Sequence, residues 1–133
     1  RWNMNNSLVC WGLEKFGTEE QKQKWIAPTL RGDIIWAQGF SEPNAGSDLA
    51  ALRTKAELTA DGSKWIINGQ KIWTTHGHKA THMFCLVRTE PDAQKHAGIS
   101  YLLVDIRQPL RFIPDDHHSL CIYGNSASRH PAF

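Results

Sequence analysis

No apolar run in these 133 residues approaches the roughly 20 residues that a bilayer-spanning helix needs. The N-terminus also lacks the basic-then-apolar pattern of a secretory signal, so the sequence predicts no membrane span. Lys and Arg never gather into a run, and the net charge of +2 is spread along the chain. Nothing is laid out to neutralise a row of phosphates, which argues against nucleic acid as a partner. Cysteine is scarce: Cys10, Cys85 and Cys121 are odd in number and far apart, which suits reduced thiols rather than a disulfide framework and makes the cytoplasm the expected compartment. Gly, Pro, Ser and Gln show no excess, and a hydrophobic share of 41% with 21% charge belongs to a chain that folds around one core.

Six Trp is high for this length, and such rings line cores, ligand pockets or partner surfaces. Residues Ser7 to Lys15 carry apolar side chains at three- and four-residue spacings and are followed by Gly17, which predicts a short helix with a glycine cap. Thr18 and Gln21 form a capping box, with Glu19 and Glu20 at the positive end of a second helix. That helix should pass Trp25 and Ile26 and stop between Pro28 and Gly32. From Asp33 the pattern becomes strand-like: Ile34 to Phe40, Trp65 to Ile67, Met83 to Val87 and Ser100 to Ile106. Asn68-Gly69 between two apolar arms predicts a tight hairpin, and Asp61-Gly62 another turn. Together they give an antiparallel meander of Arg53 to Leu58, Lys64 to Ile67 and Gln70 to Thr75. The fold class expected is mainly β, an antiparallel barrel or sandwich with two short N-terminal helices. After Ile106 the chain is turn-rich and reads as an irregular tail.

The segment Phe40 to Asp48, FSEPNAGSD, is a strand end running into a loop of small polar residues. Pro43 removes a backbone donor, Gly46 permits close approach of backbone to a ligand, and Ser41, Ser47 and Asp48 offer short hydrogen-bonding groups. A plain connecting loop uses the same residues. Their order decides the matter: WAQGFSEPNAGSDLA, NGQKIWTTHGHKA, FCLVRTE and GISYLLVDI together resemble the acyl-CoA dehydrogenase family in sequence and spacing. FGTEEQKQKWIAPTLRGD is similar to the end of that family's N-terminal helical domain.

The resemblance implies FAD as cofactor and an acyl-CoA thioester as substrate. It places Gln38, Phe40, Ser41 and Ser47 where the family's strand and loop meet the pyrimidine end of FAD, with Ser47 also reaching CoA. It places Trp73 along the isoalloxazine ring and Thr75 near the hydride-accepting N5. Asn44 stands where Gly is common, which suits a loop that needs positive φ. The implied reaction is α,β-dehydrogenation, as in fatty acid metabolism, with electrons leaving to an electron-transfer flavoprotein. The division expected is 1–32 as the end of the N-terminal helical domain, 33–112 as the barrel facing flavin and acyl-CoA, and 113–133 as an unassigned tail. The family's catalytic base lies in a C-terminal helical domain beyond this stretch, so no catalytic residue is named and the isolated fragment is expected to be inactive. Glu42, in the architectural loop, is a poor substitute base.

Two other readings stand beside this one. His76, His78 and His82 cluster, His117 and His118 adjoin, and strand alternation would put His76 and His78 on one face, yet no Cys or carboxylate falls at a familiar zinc spacing. The second alternative is a non-catalytic binding or assembly module that keeps the β fold. Apolar surface without its helical neighbours would in either case favour a homo-oligomer.

Overall fold

The computed structural model describes residues 4–74 and 77–107, together with the backbone of 120–121 and 127–130. Two helices come first, α1 (Met4–Phe16) and α2 (Glu19–Arg31). The capping box at α2 forms as expected: the Gln21 amide donates to the Thr18 hydroxyl at 3.2 Å, and the Thr18 amide donates to the Gln21 side chain at 3.0 Å. The helix passes Pro28 and ends at Arg31, capped by Gly32 at φ 80, within the expected stop between Pro28 and Gly32. A proline this close to the end removes only a last-turn donor, and its carbonyl is used by the Asp33 amide at 3.0 Å.

The strands are β1 (Trp36–Gly39), β2 (Lys55–Leu58), β3 (Trp65–Asn68), β4 (Gln70–Lys71), β5 (His82–Arg88), β6 (Ile99–Asp105), β7 (Leu120–Cys121) and β8 (Ala127–His130). Short 3₁₀ turns cover Leu49–Ala51 and Gly77–Lys79. Six strands form one sheet in the order β3-β2-β5-β6-β8, with β1 also on β5, while β4 and β7 form a separate pair.

This differs from an antiparallel barrel in two ways. Both β1 and β2 run parallel to β5, and among the described residues the sheet stays open, with β3 and β8 at its ends. The predicted hairpin at Asn68-Gly69 is the local cause. β3 pairs with β2 but β4 leaves for β7, and neither Asn68 nor Gly69 takes the positive φ that a two-residue hairpin turn demands. Glycine is needed there for another reason: a Cβ on Gly69 would lie 2.6 Å from the Cα of Thr54. The turn at Asp61-Gly62 does form, with Gly62 at φ 71 and the Asp61 carboxylate accepting from the Ser63 amide at 3.0 Å. The segment read as an irregular tail supplies β7 and β8, and β8 lies along β6 over Tyr101 to Val104.

β5 is buried along most of its length because both faces are covered. One face carries a core of Ala56, Ile67, Met83, Cys85, Leu102 and Val104. The other packs against the helices through Val9, Leu13, Trp25, Trp36, Phe84 and Leu103. The rings of Trp25, Trp36 and His82 meet at centroid distances of 5.1 to 5.8 Å. The Trp36 indole donates to the Thr29 hydroxyl at 2.9 Å, which in turn donates to the Trp25 carbonyl at 2.7 Å. The helix layer is therefore docked on the strand that leads into the polar loop.

Candidate flavin and acyl site

Leaving β1, the chain enters Phe40 to Asp48. Glu42 and Ala45 exchange backbone hydrogen bonds at 3.0 and 3.1 Å around Pro43-Asn44, a turn that Pro suits at its second position. Asn44 takes no positive φ. The Glu42 side chain points inward, only 7% exposed. Its carboxylate accepts from the Arg53 amide at 2.6 Å, the Thr54 amide at 2.9 Å, the Thr54 hydroxyl at 2.6 Å and the Lys71 ammonium at 2.8 Å. Burial pushes its pKa up most strongly, but the bonds from Lys71, Thr54 and Arg53 together outweigh it and hold the carboxyl below its ordinary value. With four donors on its oxygens, three of them on Oε1, Glu42 is a buried structural anion.

Lys71 on β4 is fully buried and also donates to the Phe40 carbonyl at 3.2 Å. The next amide, Ile72, donates to the Ser41 carbonyl at 2.9 Å. Two consecutive residues of the NGQKIW segment are thus fastened to the polar loop. Trp73 follows at φ 57 with its side chain 72% exposed. A bulky residue in the left-handed region costs roughly 1–2 kcal/mol, and leaving its ring in water recovers none of that. The neighbouring Thr74 hydroxyl is buried with no hydrogen-bond partner among the described residues.

A cavity of about 330 Å³ lies between α1 and the sheet, walled by Trp11 and Phe16 on one side and by Phe40, Phe84, Leu86 and Tyr101 on the other. A second, of about 420 Å³, is edged by Ser47, Asp48, His96 and Ile99 and shares Leu86 and Tyr101 with the first. Both volumes fall within the range of small-molecule sites. Burial keeps the Tyr101 phenol far above its usual pKa, so it is neutral at the junction. One compartment is apolar and the other has polar groups at its mouth.

Residues 37–130 match the family described as acyl-CoA dehydrogenase, middle domain, and residues 2–33 match acyl-CoA dehydrogenase, N-terminal domain. The chain belongs to the acyl-CoA dehydrogenase family. It is 56% identical to the acyl-CoA dehydrogenase FadE34 of Mycobacterium tuberculosis over 93 residues, which is 70% of this chain and 13% of that protein. It is similar to the crystal structure of an acyl-CoA dehydrogenase from Geobacillus kaustophilus, at TM-score 0.75 and 35% identity over 92% of this chain and 34% of the other. An FAD complex of PigA gives TM-score 0.76 at 26% identity, over 93% of this chain and 35% of that one. The chain thus spans about a third or less of these relatives, and the family's C-terminal domain is not within it.

Against this family's pattern, the predicted site residues fall into three places. The Phe40 and Ser41 carbonyls are bonded by Lys71 and Ile72, the two residues that lead into Trp73. Gln38 is half-buried on β1, opposite Phe84 and on the helix-facing side with Trp36 and Phe40. Ser47 is exposed at the edge of the second cavity. Thr75 lies outside the described residues. Of the histidine grouping, His78 sits in a 3₁₀ turn rather than on a strand, and His82 is buried between Trp25 and Trp36 with Asp105 at 3.7 Å. His76, His117 and His118 are outside the described residues, and among those described no three His, Cys, Asp or Glu gather where a metal could bind. No described helix is long and apolar enough to cross a membrane. Sequence reasoning missed the Glu42–Lys71 pair and the α1 wall of the cavity. The available signal was Lys71 itself, next to Gln70 on a strand where alternation turns one of the two inward.

Proposed function

We propose that this chain is the flavin-facing portion of an FAD-dependent acyl-CoA dehydrogenase acting in fatty acid metabolism, and that electrons leave to an electron-transfer flavoprotein. The observation that carries this reading is Trp73, a large ring held in water at an unfavourable φ and directly following Lys71 and Ile72, which bond the Phe40 and Ser41 carbonyls. Sparse backbone conformations of this kind cluster at ligand sites. The donor set fits the cofactor: an exposed indole to lie along a planar ring, the Gln38 amide and the Ser41 hydroxyl for its polar edge, and next to Trp73 a Thr74 hydroxyl with no partner among the described residues.

When bound, FAD supplies the hydride acceptor for the Cβ hydrogen of the acyl thioester. On this reading Trp73 and Thr75 orient the ring, Gln38, Phe40 and Ser41 hold its pyrimidine end, and Ser47 reaches both cofactor and CoA. The cavity between α1 and the sheet excludes water from the acyl chain. Neither carboxylate of the polar loop serves as α-proton base: Glu42 is buried and held by four donors, Lys71 among them, and Asp48 is solvent-exposed. The base comes from the family's C-terminal domain, outside residues 1–133. The division into 1–32, a flavin-facing domain from 33, and a C-terminal stretch from 113 belongs to the same reading, as does cytoplasmic residence with free thiols at Cys10 and Cys85.

Titration of the purified chain with FAD, followed by flavin fluorescence and the visible absorption band, tests the proposal. Quenching with a saturable site is expected, and acyl-CoA-dependent dye reduction should stay at background. A chain that leaves FAD fluorescence unchanged refutes the cofactor assignment and favours the assembly-module reading. Exposed Met4, Leu8, Trp11 and Leu30 on the helices favour a homo-oligomer, which a strictly monomeric sedimentation profile would contradict.

A further inference from the structure

We infer that the buried Lys71–Glu42 pair is a positioning device that sets where the Trp73 ring stands. It acts through the backbone, and its bearing on cofactor binding rests on the FAD reading above. Three observations combine. Glu42 is anchored from below by the Arg53 amide and by both the amide and hydroxyl of Thr54, which ties the polar loop to the segment entering β2. Lys71 grips that loop twice, at the Glu42 carboxylate and the Phe40 carbonyl. The Ile72 amide then bonds the Ser41 carbonyl, so Trp73 emerges with its preceding two residues fixed, and it is the one non-glycine residue among those described whose backbone enters the left-handed region.

The pair is a costly way to obtain stability alone. Two ions are withdrawn from water, and apolar replacements of similar volume are often as stable or more so. Two charges sharing the Phe40 to Glu42 backbone do, however, define one registry between loop and β4 segment, which apolar contacts would leave free to slide. A registry error of one residue would carry Trp73 away from Phe40 and Ser41.

The test uses the whole chain and the double variant Glu42→Gln with Lys71→Met, which removes both charges without stranding either. Its melting temperature should stay within a few degrees of the unsubstituted chain. The indole N–H resonance of Trp73, assigned by its loss in Trp73→Phe, should shift in the double variant without any cofactor present. FAD affinity should fall about tenfold or more, with a changed visible circular dichroism band of the bound flavin. An unmoved Trp73 resonance, or unchanged FAD affinity and band shape with only a lower melting temperature, makes the pair merely structural and overturns the inference. Failure of the unsubstituted chain to bind FAD would instead refute the cofactor reading, and the resonance would still decide the positioning role. Should the double variant not fold, Thr54→Val withdraws one donor from Glu42 and leaves both charges. A smaller shift of the same resonance is then expected, and none would overturn the inference.

Discussion

Removing one member of the buried pair should be far more harmful than removing both. In Lys71→Met the aliphatic stem is largely replaced, so little cavity is left. The Glu42 carboxylate, 7% exposed, loses the one cationic partner it has among the described residues. Breaking a buried pair from one side typically costs 3–5 kcal/mol. Because Glu42 keeps three donors from Arg53 and Thr54, the lower end applies, about 3 kcal/mol. With a urea slope of about 1.5 kcal/mol per molar, the midpoint should drop by about 2 M at unchanged slope. The pH dependence carries a second sign. In the unsubstituted chain the Glu42 pKa is lowered, so its contribution is fully present above the unfolded carboxyl pKa and is lost as pH falls through the folded one. In the variant, burial meets less opposition and the folded carboxyl protonates at higher pH, which relieves the stranded charge. The difference between the two proteins should therefore shrink from pH 7 toward pH 4. A loss below about 1 kcal/mol at pH 7, the scale of an exposed ion pair, or a loss that does not change with pH, would refute the account.

Gly69→Ala places a Cβ 2.6 Å from the Thr54 Cα, backbone that cannot yield cheaply. Thermal unfolding should show a loss of about 2 kcal/mol, whereas Gly46→Ala, which meets nothing within 4 Å, should be close to neutral. His82 has its pKa lowered chiefly by burial, with Asp105 opposing and Arg107 and Lys24 adding to it. The unfolded chain then binds the proton more readily, so stability should decline as pH falls below about 6.5, and denaturant midpoints at pH 7.5, 6.5 and 5.5 should show a slope that His82→Gln flattens. An unflattened slope would place the titration elsewhere. Trp73→Asn puts a residue tolerant of positive φ where Trp is strained, and should leave the melting temperature equal or slightly higher while FAD binding weakens; a clear loss of stability would mean that the ring is packed rather than presented.

Local chemistry explains which parts were legible. The start and end of α2 depend on Thr18, Gln21 and Gly32, all within a turn of the boundary they define, and β5 and β6 are apolar runs whose burial is written in their composition. The Asn68-Gly69 reading failed because a strong turn preference was overruled from a distance: Gly69 answers to Thr54, and β4 to β7. The same distinction runs through the site. Phe40, Ser41 and Trp73 could be named from their motifs, but the bonds that bring them together use Lys71 and Glu42, whose partnership crosses 29 positions and leaves no periodic trace. What the sequence treated as a strand residue proves to be a ring turned outward at φ 57. An inward Trp73 would have been explained by packing. An outward, strained one has no compensation within the described residues, which is what the proposed flavin contact would supply.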